Sequence, residues 1–141
     1  MAKALEVFQE MKANASCQPD LITYSTLIKG FCRDRRIEEA LKLFKEMEEN
    51  TGIVPDEVLY NSLLDGCCKA NHLDLALKAY SNMKFLKIRP SNVTYSILVK
   101  IYGRQRDLPK ALSVLEEMKS EGVKPGLIVY TCLIQTCIKS H

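Results

Sequence analysis

The sequence predicts an all-α solenoid of stacked helix-turn-helix units, with about eight helices. Three observations predict it. Four tyrosines, Tyr24, Tyr60, Tyr95 and Tyr130, recur at spacings of 36, 35 and 35 residues, and Pro19, Pro55, Pro90 and Pro125 recur at the same spacings. Two further series, Ala4, Ala40, Ala76, Ala111 and Met11, Met47, Met83, Met118, keep the same register, with 16 residues from each Tyr to the next Ala. Within each period the apolar residues follow a helical spacing twice. Self-similarity at such a period marks a repeat array, and one helix pair cannot bury its apolar face alone.

The elements follow in order. Residues 2–13 read as a helix with Ala4, Leu5, Val7, Phe8 and Met11 apolar; by register it is the second helix of a pair. Residues 21–33 form a first helix, with Tyr24, Leu27, Ile28 and Phe31 on one face. The loop "RDRR" leads into 36–49, where Ile37, Ala40, Leu41, Phe44 and Met47 repeat the pattern. Glu38 and Glu39 stand in its first turn, where carboxylates suit the positive end of the helix dipole. The small Ala at a fixed place lets neighbouring helices approach closely. The loop "NTGIVPD" separates units, and the Met-to-Pro distance of eight, eight, seven and seven residues places the one-residue insertion there. Residues 57–69 and 73–85 repeat the pair around Tyr60, Ala76 and Met83. Residues 92–104 and 108–121 repeat it around Tyr95, Ala111 and Met118, and 127–139 is a first helix around Tyr130. The register divides the chain into a partial unit at 1–20, whole units at 21–56, 57–91 and 92–126, and a partial unit at 127–141, as in a piece of a longer array.

Composition narrows the function classes. The chain has 141 residues, 47% hydrophobic and 26% charged, which is neither a disordered nor a membrane-embedded composition. No apolar run approaches the roughly 20 residues that span a bilayer, so no membrane partner is expected. The opening "MAKALEVFQEMK" lacks the long apolar core of a signal peptide, and its two glutamates do not suit a transit peptide. A net charge of +3 mildly favours an anionic partner without naming one.

The six cysteines form no C-x-x-C motif. Cys32 and Cys68 share one register position with Gly103, and Cys67 and Cys137 share its neighbour with Phe31 and Tyr102. Ligands do not exchange with Phe and Gly, so these cysteines read as small buried hydrophobes of a reduced protein. His72 and His141 are lone histidines without partners at ligand spacing, so no metal or other cofactor is expected. Asp34, Asp65, Asp74 and Asp107 lie in different elements and form no acid-base pair. No nucleophile motif or phosphate loop is present, so no enzymatic activity is expected. Lys42, Glu46, Glu48 and Glu49 read as a solvated outer face.

The stretches "LITYSTLIKGFCR", "IEEALKLFKEM" and "PD" together resemble the pentatricopeptide repeat, a helical pair of about 35 residues. The resemblance covers the whole chain in four agreeing registers. The tetratricopeptide repeat has a period of about 34 residues and a W-x-x-L-G signature, and this chain has no Trp. The resemblance implies a right-handed superhelix that binds single-stranded RNA at roughly one base per repeat. It also implies RNA processing or expression in mitochondria or chloroplasts.

In that family the fifth and last residues of a repeat select the base. Carried onto this chain, the pairs are Ser25 with Asp56, Asn61 with Ser91, and Ser96 with Gly126; Thr131 is a fifth residue without its last. The pairings resemble those that favour guanine, then cytosine or uracil, then a purine, read 5′ to 3′. Capping also accounts for Asp20, Asp56 and Ser91, since each stands just before a helix. It does not account for the small polar residue after every Tyr. Ile22, Val58, Val93 and Ile128 match the family position that packs against base faces, a role open beside simple packing between repeats. Arg33, Lys69, Arg104 and Lys139 match the position that contacts phosphates, a role open beside favourable placement at helix C-termini.

A protein- or peptide-binding solenoid is the rival reading. By register, residues 127–141 fill the first fifteen places of a unit and Met1 falls at the seventeenth. The start of one molecule would therefore nearly complete the end of another, with Leu133, Ile134 and Cys137 exposed to receive it, giving head-to-tail self-association.

Overall fold

A computed structural model describes residues 1–140; His141, read above as a lone histidine, lies outside the described residues. Among the described residues there are eight helices and no strand: α1 (Ala2–Ala13), α2 (Leu21–Arg33), α3 (Ile37–Asn50), α4 (Glu57–Lys69), α5 (Leu73–Phe85), α6 (Asn92–Arg104), α7 (Leu108–Ser120) and α8 (Leu127–Lys139). None of them is long and apolar enough to cross a membrane.

Local chemistry explains the helix boundaries. The carboxylates of Asp20 and Asp56 each accept a backbone N–H three residues on, from Thr23 and Leu59, at 2.9 Å. Asp107 does the same for Lys110 at 3.2 Å, and Pro109 fits the first turn of α7, where no N–H is needed. First helices end in Schellman turns: Arg36, His72 and Asp107 N–H groups reach back to Phe31, Cys67 and Tyr102 carbonyls at 2.9, 2.8 and 2.9 Å. The turn residue before each, Arg35, Asn71 or Arg106, is left-handed, at φ 59°, 64° and 57°. The turns between units use Gly52, Lys87 and Gly122 in the same conformation. Gly122 explains why α7 stops at Ser120, one residue short of the expected end.

Packing follows the repeat. The first helices α2, α4 and α6 each lie against their own second helix and against the next first helix, and α4, α6 and α8 lie against the second helix of the preceding unit. The first helices α2, α4, α6 and α8 thus form one row, with α3, α5 and α7 behind it. Tyr24, Tyr60 and Tyr95 are fully buried in the seams, and Phe8 and Phe44 meet Tyr24 and Tyr60 edge-on at 5.3 Å. Such pairs add about 0.5–1.5 kcal/mol beyond the area they bury. A Cβ on Gly66 would lie 2.7 Å from Cys32 Cβ, so the close approach of α4 to α2 requires glycine there.

Several expectations are corrected. Leu133 is buried, because α8 turns it onto the core rather than outward. Tyr130 is half-exposed, unlike its register equivalents Tyr24, Tyr60 and Tyr95. Cys67 and Cys68 are buried, but Cys32 and Cys137 only half so; Cys32 borders a cleft between α2 and α4. Glu46 is not on a solvated face: it pairs with Lys12 of α1.

Candidate nucleic-acid interface

The first turn of each first helix presents an apolar residue to solvent. Ile22, Val58, Val93 and Ile128 are 75%, 65%, 48% and 46% exposed. Each stands three residues before the small polar residue that follows the tyrosine, so the two share a helix face. Packing between repeats would bury these four side chains. Their exposure leaves a row of β-branched wedges along the helices of the first row.

The polar residues differ among themselves. Ser25 is half-buried. Thr131 is exposed and its hydroxyl donates to the Leu127 carbonyl at 2.8 Å. Ser96 departs from the expectation that all four face a groove. It is 1% exposed, and its hydroxyl donates to the Val93 carbonyl of its own helix at 2.7 Å. A serine is short enough to fold back on the helix, whereas the longer Asn61 reaches across the seam.

Asn61 and Ser91 are brought together. The Asn61 amide donates to Glu57 Oε1 at 2.9 Å, and the Ser91 hydroxyl donates to the same oxygen. The Thr94 hydroxyl donates to Asn61 Oδ1 at 2.6 Å and accepts from the Ser91 N–H at 3.2 Å. The four residues close a ring across the junction of two units. Asp56 caps α4, and hydrogen bonds from Thr23, foremost its backbone N–H, hold the Asp20 carboxyl below the usual range. Gly126 has no side chain, and its N–H donates to Asn92 Oδ1 at 2.6 Å.

The four expected cations lie exposed at the opposite ends of the first helices. Lys69 pairs with Asp65 at 3.0 Å. Arg104 reaches back to donate to the Cys68 carbonyl at the end of α4, so it serves the neighbouring helix terminus as well as its own. Arg33 and Lys139 make no ion pair among the described residues. The cleft between α2 and α4 gathers Lys29, Arg33, Arg35 and Lys69, with one carboxylate, Asp65. The cleft between α6 and α8 gathers Lys100, Arg104, Arg106 and Lys139 and no carboxylate.

Lys29, Lys100, Arg35 and Arg106 were not singled out from the sequence. Their signal was available: Lys29 and Lys100 stand one turn before Arg33 and Arg104. Glu57 and Thr94 were missed too. Glu57 has Leu21, Asn92 and Leu127 at the equivalent places, so only its departure from the pattern marked it. Among the described residues, no group of three or more His, Cys, Asp or Glu side chains forms a metal-binding cluster.

Family models match three stretches: a PPR repeat at residues 15–48, the PPR repeat family at 55–103, and a PPR repeat at 93–123. A comparison with curated protein sequences gave no match. Among solved structures, the pentatricopeptide repeat protein PPR10 from maize is 30% identical over 99% of the chain, with a TM-score of 0.84. The chain spans 20% of PPR10's length. PPR10 in complex with an 18-nt psaJ RNA element is similar at 24% identity and TM-score 0.78, over 94% of this chain and 19% of that one. The PPR domain of Arabidopsis thaliana protein-only RNase P 1, in complex with tRNA, is similar at 21% identity and TM-score 0.68, over 82% of this chain and 64% of that one.

Proposed function

The chain belongs to the pentatricopeptide repeat family, and we propose that it binds single-stranded RNA, one base per repeat, along the row of first helices. The observation that carries this reading is the exposure of Ile22, Val58, Val93 and Ile128 at four equivalent places. Apolar residues left in water at a regular interval suit flat base faces, which stack on any apolar surface. The complex of PPR10 with an RNA element supports the reading by likeness.

The repeats at 21–56, 57–91 and 92–126 each take a base. Ser25 with Asp56 and Asn61 with Ser91 select two of them. Ser96 with Gly126 selects the third only if the Ser96 side chain turns outward, and Thr131 stands ready in the partial unit. Arg33, Lys69, Arg104 and Lys139, joined by Lys29 and Lys100, hold the phosphates. The chain acts as a binding module rather than a catalyst, within an organellar factor that processes or expresses RNA in mitochondria or chloroplasts. Three stacked bases contribute about 3–9 kcal/mol before ordering costs, which places Kd near or weaker than about 1 μM.

The test is titration with single-stranded RNA, a duplex of the same sequence, and an acidic peptide, each at two salt concentrations. Binding to the single strand that weakens steeply with salt supports the reading. Equal binding to the peptide turns it towards a protein-binding solenoid.

We also propose head-to-tail self-association. Leu127, Ile134 and Ile138 of α8 and Val7 of α1 are exposed, and by register α1 of a second molecule continues α8. Such contacts do not close into a ring unless the geometry permits. Sedimentation should show mass rising with concentration; a strict monomer throughout contradicts it.

A further inference from the structure

The ring of Glu57, Asn61, Ser91 and Thr94 carries an inference that rests on the RNA-binding reading and sharpens it. Asn61 and Ser91 are the two proposed selectors of the second repeat. Both spend a donor on the same oxygen, Glu57 Oε1. The Ser91 hydroxyl has only one proton, so it has none left for a base. The Asn61 amide is held from both sides, one of its two N–H donors by Glu57 and its oxygen by Thr94. Thr94 is itself fully buried, so that end of the ring is anchored in the core.

What this repeat offers to a base is therefore weighted towards acceptors: a carboxylate and the hydroxyl oxygen it holds, against the one remaining Asn61 N–H. An acceptor surface favours a base edge that carries an amine. Carboxylates accept from the exocyclic amine of cytosine, whereas uracil presents a carbonyl at that place.

A second observation concerns the same position in the third repeat. The equivalent residue of the third repeat, Asn92, also holds the last residue of its own repeat, accepting from Gly126 N–H at 2.6 Å. It also donates to the Lys124 carbonyl at 3.1 Å. The first residue of the repeat thus grips the last in both repeats where it is polar. Where it is leucine, at Leu21 and Leu127, it has no group with which to do so.

We propose that Glu57 is a specificity-determining residue of the second repeat: its carboxylate takes the Ser91 donor and one of the two Asn61 donors and directs the repeat to an amine-bearing base, cytosine before uracil.

The experiment compares the wild-type chain with Glu57→Gln and Glu57→Leu. Glutamine keeps the shape without the charge, and leucine is the residue that two other repeats already use. Each protein is titrated by NMR with two short single-stranded RNAs that differ only in C or U at the middle base, and its melting temperature is measured. The wild type should favour the C strand by about fivefold to tenfold. Both variants should lose most of that ratio, chiefly through weaker binding of the C strand; Glu57→Gln, which can still accept from Asn61 and Ser91, should keep its melting temperature, and Glu57→Leu should melt lower. A wild type that binds RNA without preferring C, or variants that keep the wild-type ratio, overturns the role of Glu57 and leaves RNA binding standing. A wild type that binds neither strand overturns both.

Discussion

Lys87 and Gly52 hold the same place in successive turns between units, and both have a left-handed backbone, at φ 60° and 69°. Gly122 holds that place in the next turn. Only Lys87 has a side chain there, and a left-handed residue with a Cβ is strained by about 1–2 kcal/mol. Lys87→Gly should therefore stabilise the fold by about 0.5–1 kcal/mol, after the entropy that glycine adds to the unfolded chain. Thermal unfolding should shift upward by a few degrees. A lower melting temperature would mean that the lysine side chain stabilises the turn.

Two thiols contribute to the alkaline limb of stability, beside Cys68 and the tyrosines Tyr24, Tyr60, Tyr80, Tyr95 and Tyr102, which burial also raises. Burial, the largest cause, raises Cys32 from its ordinary 9.0 to about 12 and Cys67 to about 11. A raised folded value means that the neutral thiol is favoured by folding. The contribution is whole below pH 9 and is lost as the pH climbs towards 11 and 12. Melting temperature should fall across that window. At pH 8, exposed Cys17 should alkylate first, while Cys32 and Cys67 react slowly. A melting temperature flat from pH 9 to 11 would contradict the assignment.

The cations divide by their protein partners. Arg33→Gln touches no ion pair among the described residues, so stability should stay within about 0.5 kcal/mol. Arg104→Gln frees the Cys68 carbonyl and should cost about 1 kcal/mol. Changing Arg33, Lys69 and Arg104 together should weaken binding to every RNA sequence. The logarithmic salt slope should flatten by about 0.7 for each phosphate that is no longer neutralised. An unchanged slope removes these residues from the phosphate track.

The ring around Glu57 makes its own prediction without RNA. Aspartate and serine cap helices about equally well, so capping alone predicts that Ser91→Asp is close to neutral. In this fold the new carboxylate would meet Glu57, which now accepts from the Ser91 hydroxyl. Ser91→Asp should cost about 1 kcal/mol, and Glu57→Gln should relieve it. A double-mutant cycle on melting measures the coupling. Independent, additive effects would mean that the two side chains do not meet in solution.

The scaffold was legible because it repeats. The Tyr, Pro, Ala and Met registers located all eight helices to within a residue at each end. The series Ile22, Val58, Val93 and Ile128 was visible for the same reason, since all four are β-branched; its exposure was not. What escaped was specific to single repeats. Glu57 meets Ser91 across 34 residues through a pair of side chains, whereas the third repeat makes the equivalent link from Asn92 to a backbone N–H, so periodicity could not announce it. Ser96 looks like Ser25 in sequence, yet it folds back on Val93. Register predicts which face a residue occupies; it does not predict which rotamer a short polar side chain adopts there.

The central claim is that RNA lies along the first turns of the first helices. NMR titration of the labelled chain with a short single-stranded RNA tests it most directly. Shifts should gather at Ile22, Ser25, Val58, Asn61 and Val93 and at the Arg33, Lys69 and Arg104 helix ends, and should fade as salt rises. Shifts confined to α3, α5 and α7, or none with single-stranded RNA at a concentration of about 1 mM, would contradict the account.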